Sequence, residues 1–342
     1  APSLEISQRS DQATGNNGLR ETEVGIAVPL WLPGQRTASA ELAQAEISFV
    51  ERRVLASQLR LASSVRDAWW SWQRAQVDAE LAREQLTNAR RLAADVAKRK
   101  QAGDLARSDQ HQAEGAVAAA EALAAQAQAA SAVASAQLAA LTGGVAAPDS
   151  IHNGTGEPSP VPSQTARHPL LAELEDRIAV AERTANLINT QKRANPELTV
   201  ATTRDRGAFG ERYGQTVLIG VRVPFGAGPR YDARVATAQA EAIEVQSQLT
   251  LERDRIQADQ RGAASRVEAA RTQLDAAQRR ARLARESRGF FDKSFRLGET
   301  DLPTRLRIEA EAVEAERQEA RSHIDLASAI SAWRQSLGLL PQ

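Results

Sequence analysis

The residues best suited to hold a metal or relay a proton are four histidines, His111, His152, His168 and His323. Their spacing serves neither purpose, and with no cysteine in the chain there is no thiolate to join them as ligand or nucleophile. Each reads as a solvated or capping side chain. The stretch "LGETDLPTR", residues 297–305, gathers Glu299 and Asp301, but no histidine or lysine is spaced to work with them. There is no phosphate-cradling loop, nucleophile elbow, zinc-helix motif or dinucleotide fingerprint. Asp104 and Asp109, just after Gly103, read first as acidic residues favoured near a helix N-terminus. The sequence therefore asks for no catalytic residues, no metal and no cofactor, and the question becomes what so much helix is built to hold.

Composition narrows the answer. The chain has 342 residues, 43 basic and 43 acidic, so nothing favours a nucleic-acid partner. Hydrophobic residues make up 42% and aromatics 4%, and alanine carries much of the hydrophobic share. Alanine buries little surface, so a thick globular core is not expected. With Glu, Arg, Gln and Leu it is the composition of long helices packed closely. No apolar run is long enough for a transmembrane helix, which leaves a soluble protein or a β-barrel. The chain contains no methionine, as expected of a processed or trimmed form.

The chain reads as a tandem repeat. "VGIAVP" at 24–29 returns as "IGVRVP" at 219–224, and the same offset carries Gly103 onto Gly298 and Gly143 onto Gly338. The first repeat, 1–144, contains a β-hairpin over 3–32, a long helix over 36–102, a tip at 103–109 and a return helix over 105–141. A Pro/Gly/Ser linker, 145–167, is expected to run extended over the surface. The second repeat, 168–342, adds a helix at 169–193, then a hairpin at 197–225, a long helix at 230–297, a tip at 298–303 and a return helix at 304–337. The first repeat has no counterpart to 169–193, which predicts a helical segment upstream.

The strand assignment rests on alternation. Leu4 and Ile6, then Val24, Ile26, Val28 and Leu30, alternate with other residues; Leu198, Val200 and Thr202, then Val217, Ile219, Val221, Val223 and Phe225, repeat the pattern. The loops "DQATGNNG" and "DRGAFGER" suit hairpins. Pro29 and Pro224 read as strand terminators, and Trp31 falls where an interfacial aromatic is favoured. From Arg36 to Ala102 there is neither proline nor glycine, a helix of about 100 Å at ~1.5 Å per residue. A seam of small residues runs along it (Val65/Ala68, Trp72/Ala75, Ala79/Ala82, Leu86/Ala89, Ala93/Val96), echoed by Ala263, Val267, Ala270, Leu274, Ala277, Ala281 and Ala284. Trp69 and Trp72 share a face and read as helix packing. Four strands cannot close a barrel, and in lipid every strand edge must be paired. The smallest single-chain barrels use about eight strands, so several chains would have to pool theirs; three would give twelve.

The repeated hairpin, the junctions "VPLWLPGQR" and "VPFGAGPR", the glycine-marked tips and the "ALTGG" helix end together resemble the TolC family of outer-membrane efflux channels, over nearly the whole chain. The resemblance implies a mainly α protein with a small β part. Three tandem-repeat protomers of long coiled-coil helices would each lend four membrane β-strands to a twelve-stranded barrel continuous with a periplasmic α-helical barrel. It implies an outer-membrane channel of a tripartite pump in a Gram-negative bacterium, surrounded by outer-membrane lipid and partnered by a periplasmic adaptor and an inner-membrane RND-type transporter. The junction and "FRLGETDLPTRL" spellings look closest to members serving heavy-metal resistance pumps.

Carried over by motif, the adaptor-docking tips are Gly103, Leu105, Ser108 and Asp109, with Leu297, Gly298, Asp301 and Leu302. The strand–helix junctions are Pro29, Trp31, Pro33 and Gly34, with Pro224 and Gly228. Family members place constricting aspartates beyond the second-tip glycine, where this chain has Thr304 and Arg307; Glu299, Asp301, Glu309 and Glu311 are the acidic replacements available. The residues alone also allow a soluble coiled-coil scaffold or adaptor protein, with the strands as ordinary hairpins.

Overall fold

A computed structural model describes residues 2–13, 15–144, 156–161, 167–225 and 229–341. The element order is β1 (Ser3–Ser10), β2 (Arg20–Pro29), α1 (Gln35–Ala102), α2 (Arg107–Leu141), α3 (Pro169–Thr190), β3 (Glu197–Arg206), β4 (Gly214–Arg222), α4 (Pro229–Arg296) and α5 (Leu302–Ser336). Small departures from the expected boundaries have local causes. Helix α3 stops at Thr190 rather than 193, ahead of Pro196, which disfavours helical geometry in the residue before it. Strand β4 stops at Arg222 because Val223 precedes Pro224 and the ladder ends there.

The chain forms two compact units, each drawing on both repeats: residues 1–54 with 171–252, and residues 55–170 with 253–342. The first holds the sheet, antiparallel in the order β1-β2-β3-β4, so β1 and β4 are its two edges. In that unit Arg183 of α3 pairs with Glu41 of α1 at 2.7 Å, and Gln246 of α4 donates to Glu182 of α3 at 3.4 Å.

In the second unit the expected seam is the packed one. Ala263, Val267, Ala270, Leu274, Ala277 and Ala281 on α4 are buried, as are Trp72, Ala79, Ala82 and Val96 on α1. The Trp69 and Trp72 rings lie 5.0 Å apart between centroids, tilted by 53°, and Trp72 packs on Ala134 and Leu138 of α2. Ion pairs lace the helices where the seam is too thin to do so by burial alone. Asp78 of α1 accepts from Arg317 at 3.2 Å and from Arg321 at 2.7 Å on α5, while Glu316 of α5 accepts from Arg288 of α4 at 2.9 Å.

Residues 145–155 and 162–166 of the expected linker lie outside the described residues. The described part, 156–161, departs from an extended run over the surface. Glu157 is inserted against α1 and α5, where it meets Arg66 and Ser331, and Pro160 is buried. A Cβ on Gly156 would stand 3.2 Å from that of Ala327, so a larger residue there would crowd α5. A carboxylate facing two buried arginines, Arg66 and Arg334, is what draws the segment inward.

Candidate functional site

Two regions carry chemistry, the sheet and the tips, and each is built by local backbone logic. In the sheet, register decides which side chains share a face. Leu4, Ile26, Val200 and Ile219 form one cross-strand row; Ile6, Val24, Thr202 and Val217 form the next; Val28, Leu198 and Val221 lie on the helix side of both. This apolar face has no layer packed over it: Leu4 is 64% exposed and Ile219 73%. The opposite face carries Glu5, Ser7, Glu23, Thr203 and Thr216 in the intervening rows.

The junction into α1 is tightly fixed. Leu30 N–H donates to Pro196 O at 2.6 Å, and Pro29 ends β2 opposite Glu197. Leu32 and Gln35 are buried; the Gln35 side chain accepts from Leu32 N–H at 3.0 Å, tying the entering chain to the first helical residue. Gly34 holds φ +77°, a left-handed turn that a side chain would strain. Pro33 is exposed, as are Trp31 and, past the second hairpin, Phe225. Pro224 is half-buried, and Gly228 lies outside the described residues.

At the loop end of the sheet the aromatics are Phe209 and Tyr213, both exposed. With Trp31 and Phe225 past the other end of the strands, exposed aromatics stand beyond both ends of the apolar rows. Of these four, Trp31 is legible in sequence as an interfacial aromatic and Phe225 as the end of the strand alternation, although the strand itself stops at Arg222; Phe209 and Tyr213 sit in loop-like surroundings that carry no periodicity.

The two tips come together in the second unit. Leu105 from the first and Phe295, Leu302 and Leu306 from the second pack with Leu92, Val96 and Ala113. Phe295 lies between two guanidinium groups, Arg99 at 5.0 Å and Arg305 at 5.2 Å from its centroid. Arg305 and Arg296 both pair with Asp292. Burial pushes the Asp292 carboxyl up, but those two cations outweigh it and hold it below the usual range.

Gly103 (φ +92°) and Gly298 (φ +81°) end α1 and α4 in the left-handed conformation, and the next N–H reaches back in each case: Asp104 to Arg99 O, Glu299 to Ser294 O, both at 3.0 Å. The following helices are then capped. Asp109 accepts from Ala106 N–H at 2.9 Å, and Asp301 from Thr304 N–H at 3.1 Å. Hydrogen bonding from Thr304 holds the Asp301 carboxyl below its ordinary range.

Of the tip residues named from sequence, Gly103, Ser108, Leu297, Gly298 and Asp301 are exposed, and Leu105 and Asp109 half-buried. Leu302 is only 1% exposed and shapes the tip from within, whereas Leu297, 75% exposed, stands free on its surface. Among the constriction candidates Glu299 is exposed and Thr304 half-buried, while Arg307 is bound to Glu311 one turn on, at 2.5 Å. Glu309 pairs instead with Arg288 at 3.7 Å. His168 is buried, its Nδ1 accepting from Leu170 N–H at 3.3 Å at the start of α3, a capping role.

The chain thus combines an open four-stranded sheet with a bare apolar face and two helices of 68 residues. Residues 3–144 match the family model described as outer membrane efflux protein. None of the curated proteins matches. Among solved structures, CusC superposes with a TM-score of 0.79 at 17% identity, over 99% of this chain and 83% of the other. The CmeC outer membrane channel of Campylobacter jejuni gives 0.76 at 13%, over 99% and 76%. The open state of the MtrE outer membrane channel of Neisseria gonorrhoeae gives 0.74 at 17%, over 99% and 80%. The family match thus covers the first repeat, and the chain as a whole has the fold of these outer-membrane channels.

Proposed function

We propose that this chain is the outer-membrane channel protomer of a tripartite efflux pump, acting as a homotrimer and conducting cargo passively from the periplasm to the exterior. One observation carries the reading: a sheet with two open edges and an uncovered apolar face. In water such a sheet is an aggregation hazard; in lipid its edges must be paired. Order β1-β2-β3-β4 leaves β4 of one protomer free to pair antiparallel with β1 of the next, and three protomers close a ring of twelve strands. The apolar face then meets lipid and the Glu5/Glu23 face lines the lumen. Energy comes from an inner-membrane transporter of RND type, coupled through a periplasmic adaptor that docks on the exposed tip residues Gly103, Ser108, Leu297, Gly298 and Asp301. Heavy-metal cations are the cargo favoured by the junction and tip spellings.

These 342 residues contain no cysteine, so paired cysteines placed in them report cleanly. Closing a barrel staggers its strands, so cysteines are scanned in pairs over the lumen-face positions of the two edges, Ser3, Glu5 and Ser7 on β1 against Thr216, Leu218, Gly220 and Arg222 on β4. In a closed ring, oxidation of the outer-membrane fraction gives covalent dimers and trimers in the register that matches the stagger. A scan in which every pair stays monomeric and is recovered without detergent would sink the channel reading.

A further inference from the structure

The apolar face of the sheet does not end in neutral polar residues. Moving from the helix side toward the loops, the row after Ile6, Val24, Thr202 and Val217 on the same face is Gln8, Thr22, Arg204 and Gln215, and then Ser10, Arg20 and Arg206. Each row advances about 7 Å along a strand. Three guanidinium groups therefore stand directly beyond the apolar band, on its own face.

They are held in different ways. Arg20 is neutralised by Asp11 at 3.1 Å and donates to Leu19 O. Arg206 uses Nε on Gly18 O at 3.0 Å and lies over the rings of Tyr213, at 5.1 Å, and Phe209, at 5.5 Å. Arg204 lies over Tyr213 at 4.5 Å. No carboxylate pairs with Arg204 or Arg206 among the described residues. The nearby acids are engaged or turned away: Glu211 accepts from Gly207 and Ala208 N–H, and Glu21 and Asp205 fall on the opposite face by register. Aromatic rings fix the two cations without using up their N–H donors, and arginine presents those donors as a fork suited to phosphate.

A cationic fork seated immediately above an apolar surface fits one kind of molecule, an amphiphile whose anionic head sits where its acyl chains begin. We infer that Arg204 and Arg206, seated on Tyr213 and Phe209, bind the phosphate of a lipid of the surrounding outer leaflet, whose chains lie along the Ile6/Val24/Val217 and Leu4/Ile26/Ile219 rows. This rests on the membrane orientation proposed above. Repeated in each protomer, it gives the trimer a ring of phosphate contacts at the outer water–lipid boundary.

The test uses the full chain as a purified trimer, carrying whichever β1–β4 cysteine pair of that scan cross-links, in neutral detergent. Bis-phosphorylated lipid A, its dephosphorylated form and inorganic phosphate are offered separately, and the bound species are counted by native mass spectrometry. The parent is expected to retain the phosphorylated lipid, roughly tenfold more than Arg204→Gln/Arg206→Gln, given the strength of charge-assisted bonds. Arg204→Lys/Arg206→Lys should recover part of the retention, and Arg9→Gln, on the opposite face, should leave it unchanged. Equal retention by parent and Gln variant, equal retention of the dephosphorylated lipid, or loss with Arg9→Gln overturns the assignment. So does binding of inorganic phosphate alone at the same concentration, which would mark a free-anion site. Failure to form the locked trimer at all would instead overturn the membrane reading, and this assignment with it.

Discussion

The carboxylate of Glu157 and the guanidinium of Arg66, 91 residues apart in sequence, meet in a two-point contact, 2.6 Å from Nη2 to Oε1 and 3.0 Å from Nε to Oε2. Ser331 donates to the same carboxylate, and Arg334, itself only 1% exposed, lies 3.6 Å away. Two buried cations thus share one anion supplied by the inter-repeat segment. Removing one partner of such a set leaves uncompensated charge and costs on the order of 3 kcal/mol. Glu157→Gln should lower the thermal midpoint in detergent by several degrees, and Glu157→Ala by more. Ser159→Ala, on the exposed side of the segment, serves as the neutral control.

The same cluster sets an acid limit. Burial alone would push the Glu157 carboxyl up; hydrogen bonds from Arg66 and Ser331 and the charges of Arg66 and Arg334 more than reverse it, and its pKa lies below the ordinary glutamate value. A carboxylate with a depressed folded pKa contributes stability that is fully present above its unfolded pKa and is lost as pH falls through the folded one. Asp78, lowered by Arg321 and Arg317 against its own desolvation, acts in the same direction. Thermal midpoints should therefore hold near neutrality and fall below about pH 4.5. In Glu157→Gln that acid-side drop should be shallower.

At the first tip, charge and structure can be separated. Asp109 caps α2 through Ala106 N–H, so Asp109→Lys removes an acceptor as well as a charge and frays the helix start, at about 1 kcal/mol. Asp109→Asn keeps an acceptor. If the negative charge is what an adaptor reads, Asn and Lys both weaken cross-linking to it; if capping is what matters, only Lys does. Trimer yield should be unchanged in either variant.

Leu297 and Leu302, on either side of Gly298 in the second tip, have opposite surroundings, one exposed and one buried. Leu297→Ala should reduce adaptor cross-linking with little effect on stability. Leu302→Ala opens a cavity beside Phe295 and Leu105 and should cost about 2–5 kcal/mol, read as a lowered unfolding midpoint. Matching effects of the two on stability would place Leu297 in a packed interface instead.

Arg307 sets up a test of the tunnel. Its pairing with Glu311 means that Arg307→Asp both removes a cation and puts two acids one turn apart, a helix penalty of only a few tenths of a kcal/mol. If these residues line the narrowest passage, single-channel recordings should show stronger cation preference. An unchanged reversal potential would put the narrowing elsewhere.

The features legible in the sequence were those that repeat or break a period. Alternation at Val24, Ile26 and Val28 marked a strand, the Ala263-to-Ala281 spacing marked a packed seam, and Gly103 and Gly298 marked the ends of long helices. What escaped was decided by partners far away in the chain. Arg66 sits among the buried positions Leu59, Ala62 and Trp72 of α1, where an arginine looks like an error until Glu157 arrives from the segment between the repeats. Leu302 and Leu297 cannot be told apart by residue type. The guanidinium row beyond the apolar band becomes visible only once strand register aligns Arg204 with residues of three other strands.

Gly18 is buried beneath the other hairpin's loop: Phe209 N–H donates to Asn17 O at 3.0 Å, and a Cβ on Gly18 would stand 2.4 Å from Phe209 N. The two hairpin turns are thus not independent appendages. A substitution at Asn17 or Gly18 has to be accommodated by Ala208 and Phe209, so the two turns should diversify in paired steps, with the glycine opposite Phe209 among the last residues to drift.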